Sequence, residues 1–220
     1  MIIEHIEKKY KNKVILKDIS LKADGGKCIG IIGSNGSGKS TLLSILAGTL
    51  KSDNGHFFYL GSDILNDNKK RSQIVGYVPQ NTPLIEELTA KDNLRLWYKA
   101  DEMKRQLSDG VLRMLGIDEF LNLPVHKMSG GMKKRLAIGC AVAHNPKILL
   151  LDEPSAALDI FCKQNISEYL LEYKKNGGII LIATHDIQEF HLCDEIYILK
   201  DGILSEYHYD GDITGLAGNL

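Results

Sequence analysis

The sequence predicts an α/β fold in which a mostly parallel sheet lies between layers of helices. Two apolar runs, residues 28–32 and 147–151, lack polar alternation, which is typical of parallel strands buried on both faces. Segments with helical periodicity alternate with such runs. A glycine-rich turn joins the first run directly to a helical segment, in the strand–loop–helix order of a phosphate-binding loop.

This turn matches the P-loop pattern, in which two fixed glycines precede a lysine and a hydroxyl residue. Backbone N–H groups of such a turn and the positive end of the following helix dipole hold phosphate oxygens. Lys39 is expected to reach the β- and γ-phosphates, Ser40 to ligate Mg²⁺, and Thr41 to contact the α-phosphate. The full set is Gly33, Ser34, Asn35, Gly36, Ser37, Gly38, Lys39, Ser40 and Thr41. A plain surface turn is the alternative, but it leaves the agreement of strand, loop and helix unexplained.

Length and composition narrow the class of protein. The 220 residues suit a single domain, 1–220, and a net charge of −1 gives no basic excess for nucleic acid, so no nucleic-acid partner is expected. Basic clusters at 69–71 and 133–135 are predicted to be solvated. The four cysteines form no CxxC pair and are expected to pack in the core of a protein from a reducing compartment.

We expect neither a signal peptide nor a membrane span. Glu4 and His5 interrupt any signal-peptide core, and no apolar run approaches the ~20 residues of a transmembrane helix. We therefore expect a cytoplasmic protein that would need another protein to hold it at a membrane.

The remaining pattern divides the chain into layers. Strands predicted at 2–8 and 15–22 suggest an N-terminal antiparallel β-layer, with a hairpin at 24–26 leading into the strand before the P-loop. A helical pattern begins at Thr89, where Asp92 completes a capping arrangement. This pattern predicts an α-helical subdomain at about 83–130, inserted in the α/β core. Trp97 is interpreted as one of its packed core aromatics.

Two acids follow the apolar run at 149–151. In parallel sheets, the carboxyl ends of buried strands lie where ligands bind. Asp152 is therefore predicted to hold Mg²⁺ through a water, and Glu153 to polarise the water that attacks the γ-phosphate. The alternative is a strand that emerges into solvent with acidic residues.

A second anion-binding geometry is found at 128–132, where Ser129, Gly130 and Gly131 open a helix. Read alone, this pattern is equally consistent with a well-capped helix.

Together these motifs resemble the ATP-binding cassette (ABC) family, specifically a nucleotide-binding subunit of a transporter, over essentially the whole chain. Met-Ser-Gly-Gly-Met at 128–132 is similar to the family signature Leu-Ser-Gly-Gly-Gln. The resemblance also includes the Gln loop at 76–80, the dimer-facing loop at 155–159, the switch segment at 184–186, and Tyr10 at the adenine-stacking position.

The resemblance implies a role for each matched residue. It implies a P-loop NTPase core that binds ATP and Mg²⁺, with Glu153, His185, Gln80 and Lys39 as catalytic residues and Ser40, Gln80 and Asp152 at the metal. Tyr10 would stack on adenine, and Gln80 would also relay to a membrane partner. Asp159 would lie at the dimer seam, and Ser129, Gly130 and Gly131 would cap the γ-phosphate of ATP bound to a second copy of the chain.

The signature departs from the family at two positions. Met128 replaces Leu, which conserves volume. Met132 replaces Gln, which removes an amide that the family places near the dimer seam.

The resulting hypothesis is an ATP-hydrolysing subunit, peripheral on the inner face of the cell membrane. Two copies would close head-to-tail over ATP and drive integral membrane permease subunits. The Ser-Gly-Gly-Met run followed by basic residues is similar to ATPase subunits that export small molecules or peptides, but the sequence leaves the direction of transport open. A non-transport ABC ATPase of the DNA-repair or translation type is the alternative. A small-molecule kinase would explain the P-loop but not the signature, Gln80 or His185.

Overall fold

A computed structural model describes residues 1–155 and 158–209. The strands are β1 (Ile2–Tyr10), β2 (Lys13–Lys22), β3 (Cys28–Ile32), β4 (Asn54–Tyr59), β5 (Ser62–Asp63), β6 (Val75–Val78), β7 (Ile148–Asp152), β8 (Ile179–Ala183), β9 (Glu195–Lys200) and β10 (Ile203–Tyr207). The helices are α1 (Lys39–Ala47), α2 (Asn68–Ile74), α3 (Ala90–Arg95), α4 (Ala100–Ser108), α5 (Val111–Met114), α6 (Gly130–Ala141) and α7 (Ile160–Lys175). Short 3-10 turns cover Ile117–Phe120, Val125–Lys127 and Ile187–Leu192.

A six-stranded sheet in the order β10-β9-β3-β8-β7-β6 forms the centre of the fold. All its neighbours pair in parallel except β10, which forms a hairpin with β9. Alternate residues of β7 enter two different cores: Leu149 and Leu151 pack with α6 and α7, whereas Ile148 and Leu150 pack with α1 and the N-terminal layer. Burial on both faces explains the uninterrupted apolar runs and confirms the predicted α/β class.

The N-terminal layer is a four-stranded antiparallel sheet in the order β2-β1-β4-β5. The predicted hairpin at 24–26 is wrong, because β2 pairs with β1 while β3 pairs with β8 and β9. The burial patterns give the reason: β2 buries only some of its side chains, but β3 is buried at every position and needs a sheet covered on both faces.

Helices α3 to α6 lie between β6 and β7, which are neighbours in the sheet. Thr89 caps α3 by accepting a hydrogen bond from the Asp92 backbone N–H at 3.2 Å. Trp97 is 62% exposed, so its interpretation as a core aromatic is wrong. The helix ends at Arg95, which breaks the assumed periodicity, and Leu94 and Tyr98 fill the buried positions instead.

The basic clusters also differ from the prediction that they are solvated. Arg71, Lys134 and Arg135 are buried. Arg135 Nη1 donates to the Leu115 carbonyl at 3.0 Å, and Arg71 donates to the Leu65 carbonyl. In each case the methylene groups of the side chain are buried, and the charged group at its end donates to a backbone carbonyl.

The cysteines pack as predicted, since the four are free thiols and Cys28, Cys140 and Cys162 are buried. Within the described ranges, none of the helices combines the length and the apolar character that a membrane span needs.

Leu150 gives a test of the doubly covered sheet. Leu150→Ala should lower the free energy of unfolding by about 3 kcal/mol, because it removes a fully buried side chain and leaves a cavity. Leu60→Ala is the matched control; its side chain is 87% exposed, so a change within about 0.5 kcal/mol is expected. Urea denaturation measures both, and equal losses for the two variants would contradict the burial of β7.

Candidate functional site

The site forms at one edge of the central sheet. Because β3, β6, β7 and β8 run parallel, their carboxyl ends meet there. The register aligns Asp152 with Ala183 and Leu151 with Val78. The loops that leave this edge carry the P-loop, Gln80, Glu153 and His185, so the sheet register sets their spacing.

The P-loop wraps tightly between β3 and α1. A Cβ added at Gly33 would lie 2.4 Å from the Leu199 carbonyl oxygen, so a larger residue does not fit. Gly38 caps α1 at φ 112°, a conformation that disfavours other residues. Ser37 Oγ is buried beside Gly33 and has no hydrogen-bond partner among the described residues.

The amino end of α1 has a charge pattern suited to an anion. The first turn of α1 begins with Lys39 and has no acidic residue, so no carboxylate there opposes an anion at the positive end of the helix dipole. Lys39 Nζ lies across the loop and donates to the carbonyls of Gly33 at 2.6 Å and Ser34 at 3.2 Å. Burial lowers the pKa of Lys39, while Glu153 and Asp152 oppose that shift. The Lys39 ammonium group and the positive end of the α1 dipole therefore lie at the same loop.

Asp152 and Ser40 form the oxygen-rich part of the site. Asp152 ends β7 almost fully buried, and burial raises the pKa of its carboxyl group, while a hydrogen bond from the Ser40 hydroxyl opposes that shift. One carboxylate and one hydroxyl are hard oxygen donors, and Mg²⁺ takes one or two such groups together with substrate phosphates and waters. The donor set therefore fits Mg²⁺.

Glu153 lies at the centre of a hydrogen-bond network. Gln80 Nε2 donates to Glu153 Oε2 at 3.1 Å, and His185 Nδ1 lies 3.0 Å from Oε1. The Glu153 backbone has φ 49°, a left-handed conformation that is uncommon outside glycine, and its N–H donates to the Ala183 carbonyl at 2.8 Å. Both carboxylate oxygens are thus held in fixed directions.

A cleft of about 380 Å³ connects these groups. Its lining residues are Tyr10, Ile15, Asn35, Gly36, Gly38, Lys39, Ser40, Thr41, Gln80 and Glu153. Tyr10 ends β1 half-exposed, with Lys8 Nζ 5.5 Å from its ring centroid. The lining therefore combines an aromatic ring, the backbone and lysine of the P-loop, and a carboxylate.

The remaining predicted site residues gather elsewhere. Ser129 caps α6 by accepting from the Met132 N–H at 3.2 Å, and Asp159 caps α7 by accepting from the Cys162 N–H at 2.9 Å. The two caps are adjacent, because a Cβ on Gly131 would lie 2.4 Å from Cys162 Sγ and 3.8 Å from Asp159 Oδ2. None of these residues lines the cleft just described.

The dimer-facing loop is described only in part. Ser155, Leu158 and Asp159 belong to the described ranges, whereas Ala156 and Ala157 lie outside them. Residues 210–220 of the predicted domain also lie outside the described residues.

Lys134 is a polar residue of the site region that sequence reasoning missed. Its Nζ donates to the carbonyls of Pro79 and Gln80, each at 3.2 Å. Lys134 lies between Lys133 and Arg135, so the sequence shows only a charge run and gives no signal that this lysine is buried.

Comparisons with known proteins place the chain in a family. The family model described as "ABC transporter" matches residues 16–156. The linearmycin resistance ATP-binding protein LnrL of Bacillus subtilis is 35% identical, over 90% of this chain and 66% of its own length. The energy-coupling factor transporter ATP-binding protein EcfA of Methanococcus maripaludis is 35% identical, over 91% of this chain and 77% of its own. The chain thus spans just under two thirds of the length of LnrL.

A solved structure of the ATP-binding cassette MJ0796 is similar throughout. It is a dimer in a post-hydrolysis state bound to ADP and Pi, with a TM-score of 0.84 and 30% identity, covering 96% of this chain and 99% of its own. The comparisons confirm the predicted family and fold, and the relatives named above are ATP-binding proteins and an ATP-binding cassette. The chain belongs to the ABC transporter family, among its ATP-binding cassettes.

Proposed function

We propose that this chain is the ATP-hydrolysing subunit of a transporter and works as a head-to-tail dimer. Each ATP would lie between the P-loop of one copy and the Ser129 cap of the other. The observation that carries this proposal is the separation of two groups within one chain. The cleft holds Tyr10, the P-loop and Glu153, while Ser129, Gly131 and Asp159 gather at the caps of α6 and α7. The similar cassette that is dimeric and bound to ADP and Pi supports dimerisation of this chain.

In the cleft, each residue type suits one part of ATP. The Tyr10 ring would stack on adenine, with Lys8 already above one face. Residues 33–41 would hold the triphosphate through backbone N–H groups, and Lys39 would turn from its two carbonyl partners toward the β- and γ-phosphates.

Ser40, Gln80 and Asp152 would hold Mg²⁺, which supplies charge neutralisation on the phosphate oxygens when bound. Asp152 serves this role because its buried carboxylate already meets the Ser40 hydroxyl. Gln80 would contribute its amide oxygen as a ligand, since its amide nitrogen donates to Glu153.

Glu153 would act as general base on the attacking water. Its two oxygens accept from Gln80 and contact His185, so the carboxylate keeps its direction while it takes the proton. His185 is 61% exposed and can meet the γ-phosphate from the open side of the cleft.

The second copy would complete the pocket. The Ser129, Gly130 and Gly131 N–H groups at the amino end of α6 would cap the γ-phosphate, and nothing within 4 Å would meet a Cβ on Gly130. Beside Asp159, the apolar side chains of Ile160 and Phe161 are 80% and 81% exposed, as expected for residues covered by a partner. Loss of the γ-phosphate would remove the bridge between the two copies.

We propose that the chain is one domain, 1–220, and that the helices at about 83–130 form a subdomain of it. We infer that membrane permease subunits bind around Gln80 and this helical subdomain. Leu96 and Trp97 in this segment are exposed apolar side chains. This contact would hold the chain on the inner, cytoplasmic face of the cell membrane.

Export is the proposed direction of transport. LnrL is named for resistance to linearmycin, which favours export of a small molecule or peptide. Other relatives are named for import, so ATP-driven uptake into inside-out membrane vesicles is the measurement that separates the two directions. The transporter names among the relatives argue against a DNA-repair or translation ATPase.

Tyr10 tests the adenine site. Tyr10→Ala should weaken ATP binding about fivefold, because it removes roughly 1 kcal/mol of ring stacking. Tyr10→Phe is the matched control and should bind as the wild type does, since it keeps the ring. Isothermal titration calorimetry measures both affinities, and unchanged binding by Tyr10→Ala would remove Tyr10 from the site.

Glu153→Gln tests the shared pocket. It should slow hydrolysis by about 100-fold, because the general base is lost, while ATP binding remains. Size-exclusion chromatography with MgATP should then show a trapped dimer. Glu168→Gln, an exposed position on α7, is the control and should hydrolyse ATP normally. A Glu153→Gln chain that binds ATP but elutes as a monomer would contradict the proposed function.

A further inference from the structure

Lys134 is a buried cation in the second turn of α6. Its side chain is 6% exposed, and its Nζ donates to the carbonyl oxygens of Pro79 and Gln80. The neighbouring Lys133 points elsewhere and forms an ion pair with Glu86 at 2.9 Å. The two lysines therefore differ in environment although they are adjacent in the sequence.

The surroundings explain why an ammonium group is stable there. Burial lowers the pKa of Lys134, and the carboxylates of Asp152, Glu153 and Glu189 oppose that shift. A buried charge is tolerated when it is hydrogen-bonded and compensated. Lys134 meets both conditions, and the acids that compensate it include Glu153, which lines the cleft, and Asp152, the residue before it.

The contacts of Lys134 lead from α6 to the cleft. The first residues of α6 are Gly130 and Gly131, which form the cap region proposed to serve the second copy. Lys134, on the next turn, holds the backbone carbonyl of Gln80, and the Gln80 side chain donates to Glu153. The chain of contacts is therefore continuous from the start of α6 to the Glu153 carboxylate.

We propose that Lys134 is a positioning residue that fixes the Gln80 backbone, and through it Glu153, relative to the start of α6. The inference rests on the proposed function. It adds a coupling between the ATP that Ser129 of one chain caps and the ATP bound at the P-loop of that same chain. When α6 moves to meet the triphosphate of the second copy, Lys134 carries the Gln80 loop with it. The position of Glu153 in each chain thus depends on whether the Ser129 cap of that chain contacts a triphosphate.

Steady-state kinetics at varied MgATP concentration test this role. Lys134→Met keeps an unbranched stem but removes the donors, so kcat should fall about tenfold while KM for ATP changes less than about twofold. Lys134→Arg should recover most of the rate, because a guanidinium can reach both carbonyls. Lys133→Met is the matched control and should leave both constants unchanged. Thermal unfolding of each variant verifies that it is folded.

A double-mutant cycle with Gln80→Ala separates positioning from general structural damage. If Lys134 acts through Gln80, Lys134→Met should change kcat by less than about twofold in the Gln80→Ala background. An unchanged kcat in the single variant, or a full tenfold loss in both backgrounds, would overturn the proposal. Lys134→Gln replaces Lys134→Met in the cycle, with the same criteria, if the methionine variant does not fold. A wild-type chain that hydrolyses no ATP would instead contradict the proposed function itself, and the inference with it.

Discussion

The parallel pairing of β3, β8, β7 and β6 is the constraint on which the site depends. Side chains in a strand alternate between faces, so a slip of one residue in β7 would exchange the sets buried against α1 and against α6. Both sets are apolar and fully packed, which locks the register. The same register then fixes the positions of the P-loop, Asp152 and the Gln80 loop relative to one another at the edge of the sheet.

Around this frame, Glu153 has unusual local geometry. A left-handed backbone at a residue other than glycine costs on the order of 1 kcal/mol and persists when its surroundings hold it. Here the backbone N–H is tied to Ala183 in β8, and the carboxylate is tied to Gln80 and His185. The carboxylate is therefore oriented before any substrate arrives. Lys134 extends this network to α6, so a continuous series of contacts joins Glu153 to the helix that Ser129 caps.

The sequence allowed prediction of features that depend on local pattern. The P-loop, the two-face burial of the parallel strands and the Thr89 cap were correct because each follows from neighbouring residue types. Features set by tertiary contacts were not predictable in this way. Trp97 is exposed because α3 stops early, and the turn at 24–26 joins two sheets rather than two paired strands. Lys134 is buried because carbonyls far away in sequence receive its ammonium group, which no charge run reveals.

The central claim is that one chain holds only part of each ATP site and that a second copy supplies the rest. Specific ATPase activity measured against chain concentration at saturating MgATP tests it most directly, with particle mass followed by light scattering. The account predicts a rate per chain that rises with concentration while the sample is monomeric and levels off once dimers form. A constant rate per chain in a sample that stays monomeric would contradict it.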